Sequence, residues 1–103
     1  MDQPSFQPLN LRGRHYLVTG AASGIGRAIA VLLDRLGALT SLVDIEPAGL
    51  VRTVAFLGAG PHWSFTFDLR RTDHIDALVA SVVDAGGALH GVVHAAGIQK
   101  VVP

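Results

Sequence analysis

The stretch Gly20-Ala21-Ala22-Ser23-Gly24-Ile25-Gly26 constrains this chain more than any other, because it places three glycines between an apolar run and a helical pattern. Before it, His15 to Thr19 holds the continuous apolar run Tyr16-Leu17-Val18, which reads as a strand buried on both faces. After it, Ile25, Ala28, Ile29, Leu32, Leu33 and Leu36 recur at helical spacing, and Gly37 follows as the stop. A strand that turns straight into a helix exposes the unpaired N–H groups and the positive dipole end of that helix, and both attract a phosphate. Gly20 and Gly24 can take backbone angles closed to other residues. Gly26 removes a side chain that would hold a pyrophosphate or the next strand at a distance. Glycines also make ordinary turns, so the pattern acquires meaning from its place between strand and helix. Its spacing is Gly-x-x-x-Gly-x-Gly rather than Gly-x-Gly-x-x-Gly, and it lacks the Lys-Ser/Thr pair of a P-loop, which argues against phosphoryl transfer.

The remaining pattern alternates in the same way. Leu39 to Val43 reads as a second strand closed by Asp44, and Pro47 suits the first position of a second helix carrying Leu50, Val51, Val54 and Leu57. Gly58-Ala59-Gly60-Pro61 breaks it. Trp63, Phe65 and Phe67 alternate with Ser64 and Thr66, as in an edge strand, and Asp68 ends that strand. Thr72 can cap a third helix with Asp73 in its first turn and Ile75, Leu78, Val79, Val82 and Val83 as its apolar stripe. Gly86-Gly87 stops it, and a fourth strand runs from about Leu89 to His94. Strands separated by crossovers of this length pair in parallel, giving an α/β doubly wound sheet of about four strands and three helices in the order 3-2-1-4.

Thr19-Gly20-Ala21-Ala22-Ser23-Gly24-Ile25-Gly26 resembles the N-terminal motif Thr-Gly-x-x-x-Gly-Ile/Leu-Gly of the short-chain dehydrogenase/reductase (SDR) family. The resemblance continues at Asp44, at Asp68-Leu69 and at Ala95-Ala96-Gly97, and so runs from about residue 13 to the end of the sequence. It implies the N-terminal half of a Rossmann-type domain: residues 1–12 as a leader and 13–103 as a partial NAD-binding domain. Gly20, Ser23, Gly24, Ile25 and Gly26 would then hold the cofactor's phosphates, with Ala95, Ala96 and Gly97 approaching it from the fourth strand. Asp44 lies 18 residues beyond Gly26, where the Rossmann arrangement puts a carboxylate on the adenosine ribose hydroxyls. Its charge disfavours a 2′-phosphate, and neither Ser23 nor Ile45 is basic, so NAD is expected over NADP. Asp68, with the Leu69 backbone beside it, resembles the family's adenine contact. A turn role is the plain alternative for both aspartates.

One departure is His94-Ala95-Ala96-Gly97 where the family usually has Asn-Asn-Ala-Gly. His94 reads as a hydrogen-bonded structural residue rather than a base. His15, His62, His74 and His90 lack ligand spacing, so no metal site is expected, and Arg70-Arg71 reads as a solvated pair where the third helix starts. The family's catalytic serine and Tyr-x-x-x-Lys lie beyond the matched region. Tyr16 has Gly20 four residues on, and Lys100 has Ala96 four residues before it, so no such pair is present and no catalytic residue is assigned.

Eight basic residues balance eight acidic ones and cysteine is absent, which argues against nucleic-acid binding, a disulfide framework and thiolate chemistry. No apolar run approaches the roughly 18 residues needed to cross a bilayer, and Met1 to Asn10 does not read as a secretory signal. The expectation is a cytoplasmic protein. It is read as an N-terminal fragment of an NAD-dependent oxidoreductase acting on an alcohol or carbonyl, inactive alone. The complete protein is expected to be a homo-oligomer, and the fragment to self-associate through an unpaired fourth strand. A non-catalytic NAD-binding sensor or regulatory module and a gene remnant without function are the alternatives.

Overall fold

The run Tyr16-Leu17-Val18 becomes an inner strand because apolar side chains on successive residues point to opposite faces and need cover on both. In the computed structural model, which describes residues 10–58 and 60–96, β1 (His15–Thr19) lies between β2 (Leu39–Asp44) and β4 (Gly91–His94), with β3 (His62–Thr66) outside β2. All pairs are parallel and the order is β3-β2-β1-β4. This is the Rossmann-type sheet, with β3 at one edge and β4 at the other.

Alternation along β1 and β2 divides the core in two. Val18 and Leu42, adjacent in register, pack with Ala30 and Leu33 of α1 (Gly24–Arg35) and with Leu50 of α2 (Pro47–Val54). Leu17 and Val43 face the other way and pack with Leu78 and Val82 of α3 (Ile75–Gly86). Helices therefore cover both faces of the inner strands. Complete burial of a leucine such as Leu42 contributes about 1.5–3 kcal/mol.

His15, at the start of β1, is fully buried. Its Nδ1 lies 2.9 Å from the Gly87 carbonyl and its Nε2 2.7 Å from Ser41 Oγ. A carbonyl can only accept, so Nδ1 carries the proton and Nε2 accepts from the Ser41 hydroxyl. The ring meets Trp63 edge-on at 5.7 Å. A Cβ on Gly86 would fall 2.6 Å from His15 Cε1, so this glycine, besides ending α3, makes room for the ring.

Several element details differ from the sequence expectation. Thr72 is not a side-chain cap for α3: Thr72–His74 forms a 3₁₀ turn, His74 is the N-cap, and α3 begins at Ile75. The cause is a tightening of the chain, with Arg71 N–H bonded to the Asp68 carbonyl and His74 N–H to that of Arg71. β3 ends at Thr66, before Phe67 and Asp68, although Phe67 N–H still reaches the Asp44 carbonyl at 2.9 Å. β4 starts at Gly91 because His90 joins β1 partly through its side chain, Nδ1 accepting from His15 N–H at 3.0 Å. Val51, Val79 and Val83 are exposed, since each follows an inward residue and lies about 100° around its helix. No helix among the described residues is long and apolar enough to cross a membrane.

Candidate functional site

The C-terminal ends of the parallel strands gather around the glycine-rich turn. β1 ends at Thr19, and Gly20 turns the chain with φ of +72°, a left-handed angle that a side chain would strain. A Cβ there would also fall 2.6 Å from Ala96 N, so Gly20 lets the turn rest against the chain leaving β4. At Gly26 the limit is space alone: a Cβ would lie 1.9 Å from the Gly20 carbonyl oxygen. The turn thereby folds back on itself, and α1 starts at Gly24 with its N-terminus at the strand ends. Its N-cap, Ser23, is extended and makes no side-chain cap.

Asp44 ties the end of β2 to this turn. Its Oδ2 accepts from Ala22 N–H at 2.9 Å and its Oδ1 from Glu46 N–H at 3.0 Å. The bonds that make it a turn residue also fix a carboxylate that lines the crevice. Ala21 N–H to the Val43 carbonyl, at 3.1 Å, adds a backbone link beside it.

Across the crevice, Asp68 is bound by Arg70 rather than left to solvent. Arg70 Nε reaches Oδ1 at 3.0 Å, Nη2 reaches Oδ2 at 2.8 Å, and Arg70 N–H reaches Oδ1 at 2.9 Å. These bonds hold the Asp68 carboxyl well below the usual range, at about 2, and raise the Arg70 guanidinium in return. Arg70 is solvated as expected, its side chain 84% exposed, while its donors hold Asp68. Arg71 is exposed as well, 3.9 Å from Asp73 and with Nη2 3.5 Å from His74 Nδ1.

A cavity of about 560 Å³ lies between these parts. Gly20, Ser23 and Asp44 line one side, Asp68, Leu69 and Arg70 the other, and Ala96 lies by the turn. Gly24, Ile25, Gly26 and Ala95 do not line it: Gly26 and Ala95 are buried beneath as packing, whereas Gly24 and Ile25 are exposed on α1. Gly97 lies outside the described residues. His94 sits at the end of β4 with Nδ1 2.8 Å from Thr19 Oγ1, a hydrogen bond joining the ends of two neighbouring strands. Sequence reasoning missed Arg70, although the Asp-x-Arg spacing was visible, and missed Arg27 and Thr53, which contact the glycine turn from behind.

The crevice combines the positive end of α1 with the carboxylates of Asp44, Glu46 and Asp68. An anion is favoured at the turn and hydroxyl or amino donors at the carboxylates. Among the described residues no three His, Asp or Glu side chains gather to hold a metal ion. A second concavity of about 490 Å³, lined by Phe65, Phe67, Asp68, Arg71, His74 and Leu78, shares Phe67 and Asp68 with the first, but no residue of the glycine turn lines it.

The short chain dehydrogenase family model matches residues 14–103. A short-chain dehydrogenase/reductase of Pyricularia oryzae is 36% identical over 93 residues, covering 87% of this chain and 35% of that protein. Among solved structures, the citronellol catabolism dehydrogenase of Pseudomonas aeruginosa superposes with a TM-score of 0.78 at 31% identity, over 84% of this chain and 37% of the other. A short chain dehydrogenase of Mycobacterium paratuberculosis, bound to NAD, gives 0.74 at 32% identity, over 81% and 36%. The chain thus spans about a third of the length of the relatives it matches. With the glycine turn, the strand order and the match over residues 14–103 in agreement, the chain belongs to the short-chain dehydrogenase family of oxidoreductases.

Proposed function

We propose that these residues form the NAD-binding part of an oxidoreductase that interconverts an alcohol and a carbonyl on a small organic substrate. The observation that carries the reading is Asp44: its carboxylate is pinned by Ala22 and Glu46 N–H and lines the same cavity as Gly20 and Ser23. That places a hydroxyl acceptor beside a phosphate-attracting helix end, as an adenosine ribose next to a pyrophosphate requires. The glycines fit the group as well, since a Cβ at Gly20 or Gly26 would close the turn on itself.

In this reading the α1 N-terminus and the turn backbone bind the pyrophosphate, Asp44 accepts from the ribose hydroxyls, and Asp68 with the Leu69 backbone borders the adenine. Ala96 borders the crevice on the β4 side with Ala95 packed beneath it, and the family resemblance extends the cofactor-binding set to Gly97. NAD bound there supplies the hydride acceptor. The solved relative from Mycobacterium paratuberculosis, bound to NAD, supports this choice of cofactor. NAD is preferred to NADP because a 2′-phosphate would meet the Asp44 carboxylate, while the Arg70 charge is already engaged by Asp68. Turnover is proposed for the whole protein, as residues 1–103 hold no Tyr-x-x-x-Lys to exchange the proton.

Calorimetric titration tests the reading. Asp44→Ala should weaken NAD about tenfold, as expected for loss of hydrogen bonds to a charged acceptor. NADP affinity should change less or improve. Equal loss for both cofactors would show that Asp44 does not select between them, and failure of the folded chain to bind either would remove the cofactor assignment.

A further inference from the structure

Behind the glycine turn, on the side away from the cavity, Arg27 and Thr53 make a connected set of hydrogen bonds. Thr53 is fully buried in α2, and its Oγ1 donates to the Ala21 carbonyl at 2.6 Å. The same oxygen accepts from Arg27 Nε at 2.8 Å. Arg27 Nη2 donates to the Ala22 carbonyl and, at 3.3 Å, to the Gly49 carbonyl. The guanidinium lies over the Phe56 ring at 5.5 Å. Near the positive end of α1, a cation gains nothing from the helix dipole. Its place is explained by the carbonyls it collects.

The orientation of those carbonyls matters because a planar trans peptide directs its C=O and N–H to opposite sides. The peptide joining Ala21 to Ala22 is held at both ends, its carbonyl by Thr53 and its N–H by Asp44 Oδ2. In the next peptide the Ala22 carbonyl is drawn toward Arg27, which directs the Ser23 N–H to the opposite side, where Ser23 lines the cavity. Gly49 gives α2 the clearance for this contact, since a Cβ there would lie 2.6 Å from Ala22 Cβ.

We propose that Arg27 and Thr53 are positioning residues that set the peptide planes of Ala21 to Ser23 for a pyrophosphate. The inference rests on the cofactor reading above. It adds that affinity for the phosphates depends on a guanidinium and a hydroxyl that do not line the cavity. The arginine acts here through its fork of donors rather than its charge, because a single ammonium cannot meet Thr53, Ala22 and Gly49 together.

The test is calorimetric titration of the full chain with NAD, ADP and adenosine, the last lacking the pyrophosphate. The wild-type chain should bind ADP more tightly than adenosine. Arg27→Ala and Thr53→Val should each reduce that preference about tenfold, by loss of one or two hydrogen bonds involving a charged or buried partner. Adenosine affinity should stay within about twofold, as for substitutions away from the adenosine contacts. Thr53→Ser keeps the hydroxyl and should retain the preference, whereas Arg27→Lys should recover only a minor part of it. Should Arg27→Ala fail to fold, the Thr53→Val and Thr53→Ser pair reads the same quantity. Retention of the full preference in Arg27→Ala or in Thr53→Val, its full recovery in Arg27→Lys, or equal weakening of ADP and adenosine would overturn the positioning role and leave the cofactor assignment standing. Absence of binding to all three ligands by the folded wild-type chain would overturn both.

Discussion

β2 and β3 lie side by side in one sheet, yet β2 is buried from Thr40 to Val43 while no residue of β3 is buried. The same contrast separates β1 from β4 at the other edge. It extends to the site. The inner strands end in the glycine turn and Asp44, where backbone groups and buried packing set each position. The outer strands lead to Asp68, held mainly by the exposed Arg70 side chain, and to the exposed His94, bonded to Thr19. Parts that admit almost no adjustment therefore hold the turn, and parts that can be retuned cheaply border it.

The comparison predicts unequal costs. Gly26→Ala should be the most damaging change, about 3 kcal/mol or more by overpacking, because the added carbon meets the Gly20 backbone rather than a movable side chain. Urea denaturation measures it, and a loss under about 1 kcal/mol would mean that the turn can open, contrary to the rigidity assigned to the inner strands. Leu42→Ala, in the inner pair, should cost about 3 kcal/mol as a cavity in a covered core. Val92→Ala, at a side chain 58% exposed in β4, should stay within about 0.5 kcal/mol. Similar losses at the two positions would erase the distinction between inner and outer strands.

The smallest effect is expected at the outer wall of the site. Asp68 should titrate by NMR with a midpoint of about 2, and Arg70→Ala should return it toward the ordinary value of 3.8. The sign follows from linkage: a lowered carboxyl favours the folded state above the ordinary value, and the contribution is lost as the pH falls through about 2. A pair this exposed contributes little to stability. An unchanged midpoint in Arg70→Ala would show that the ion pair does not organise this wall.

Much of this was legible because it rests on local chemistry. The apolar runs gave β1 and β2, and the helical spacing with its glycine stop gave α1, since neither depends on a distant partner. Gly20, Ser23 and Asp44, read from the glycine turn and its spacing, and Asp68, Leu69 and Ala96, implied by the family resemblance, do share one cavity. His15 was one scattered histidine until Ser41, Gly87 and Trp63, distant in sequence, met around it. Thr72 carried a proper capping side chain, but the turn after Asp68 used the backbone instead. Arg70 was visible as a charge, whereas its bond to Asp68 depends on how the chain bends after β3.

By itself, then, the sequence determined the alternation of strands and helices, the glycine turn and the acidic residue at the end of β2, because apolar periodicity and backbone freedom are properties of neighbouring residues. Only the tertiary structure decided which polar groups face one another: Asp44 on the turn's Ala22 N–H, Arg70 on Asp68, and Arg27 with Thr53 on the turn's carbonyls. A hydrogen bond requires two groups within about 3 Å and in line. When the partners lie 26 or 32 residues apart, as Arg27 and Ala21 do from Thr53, that condition is met by folding alone.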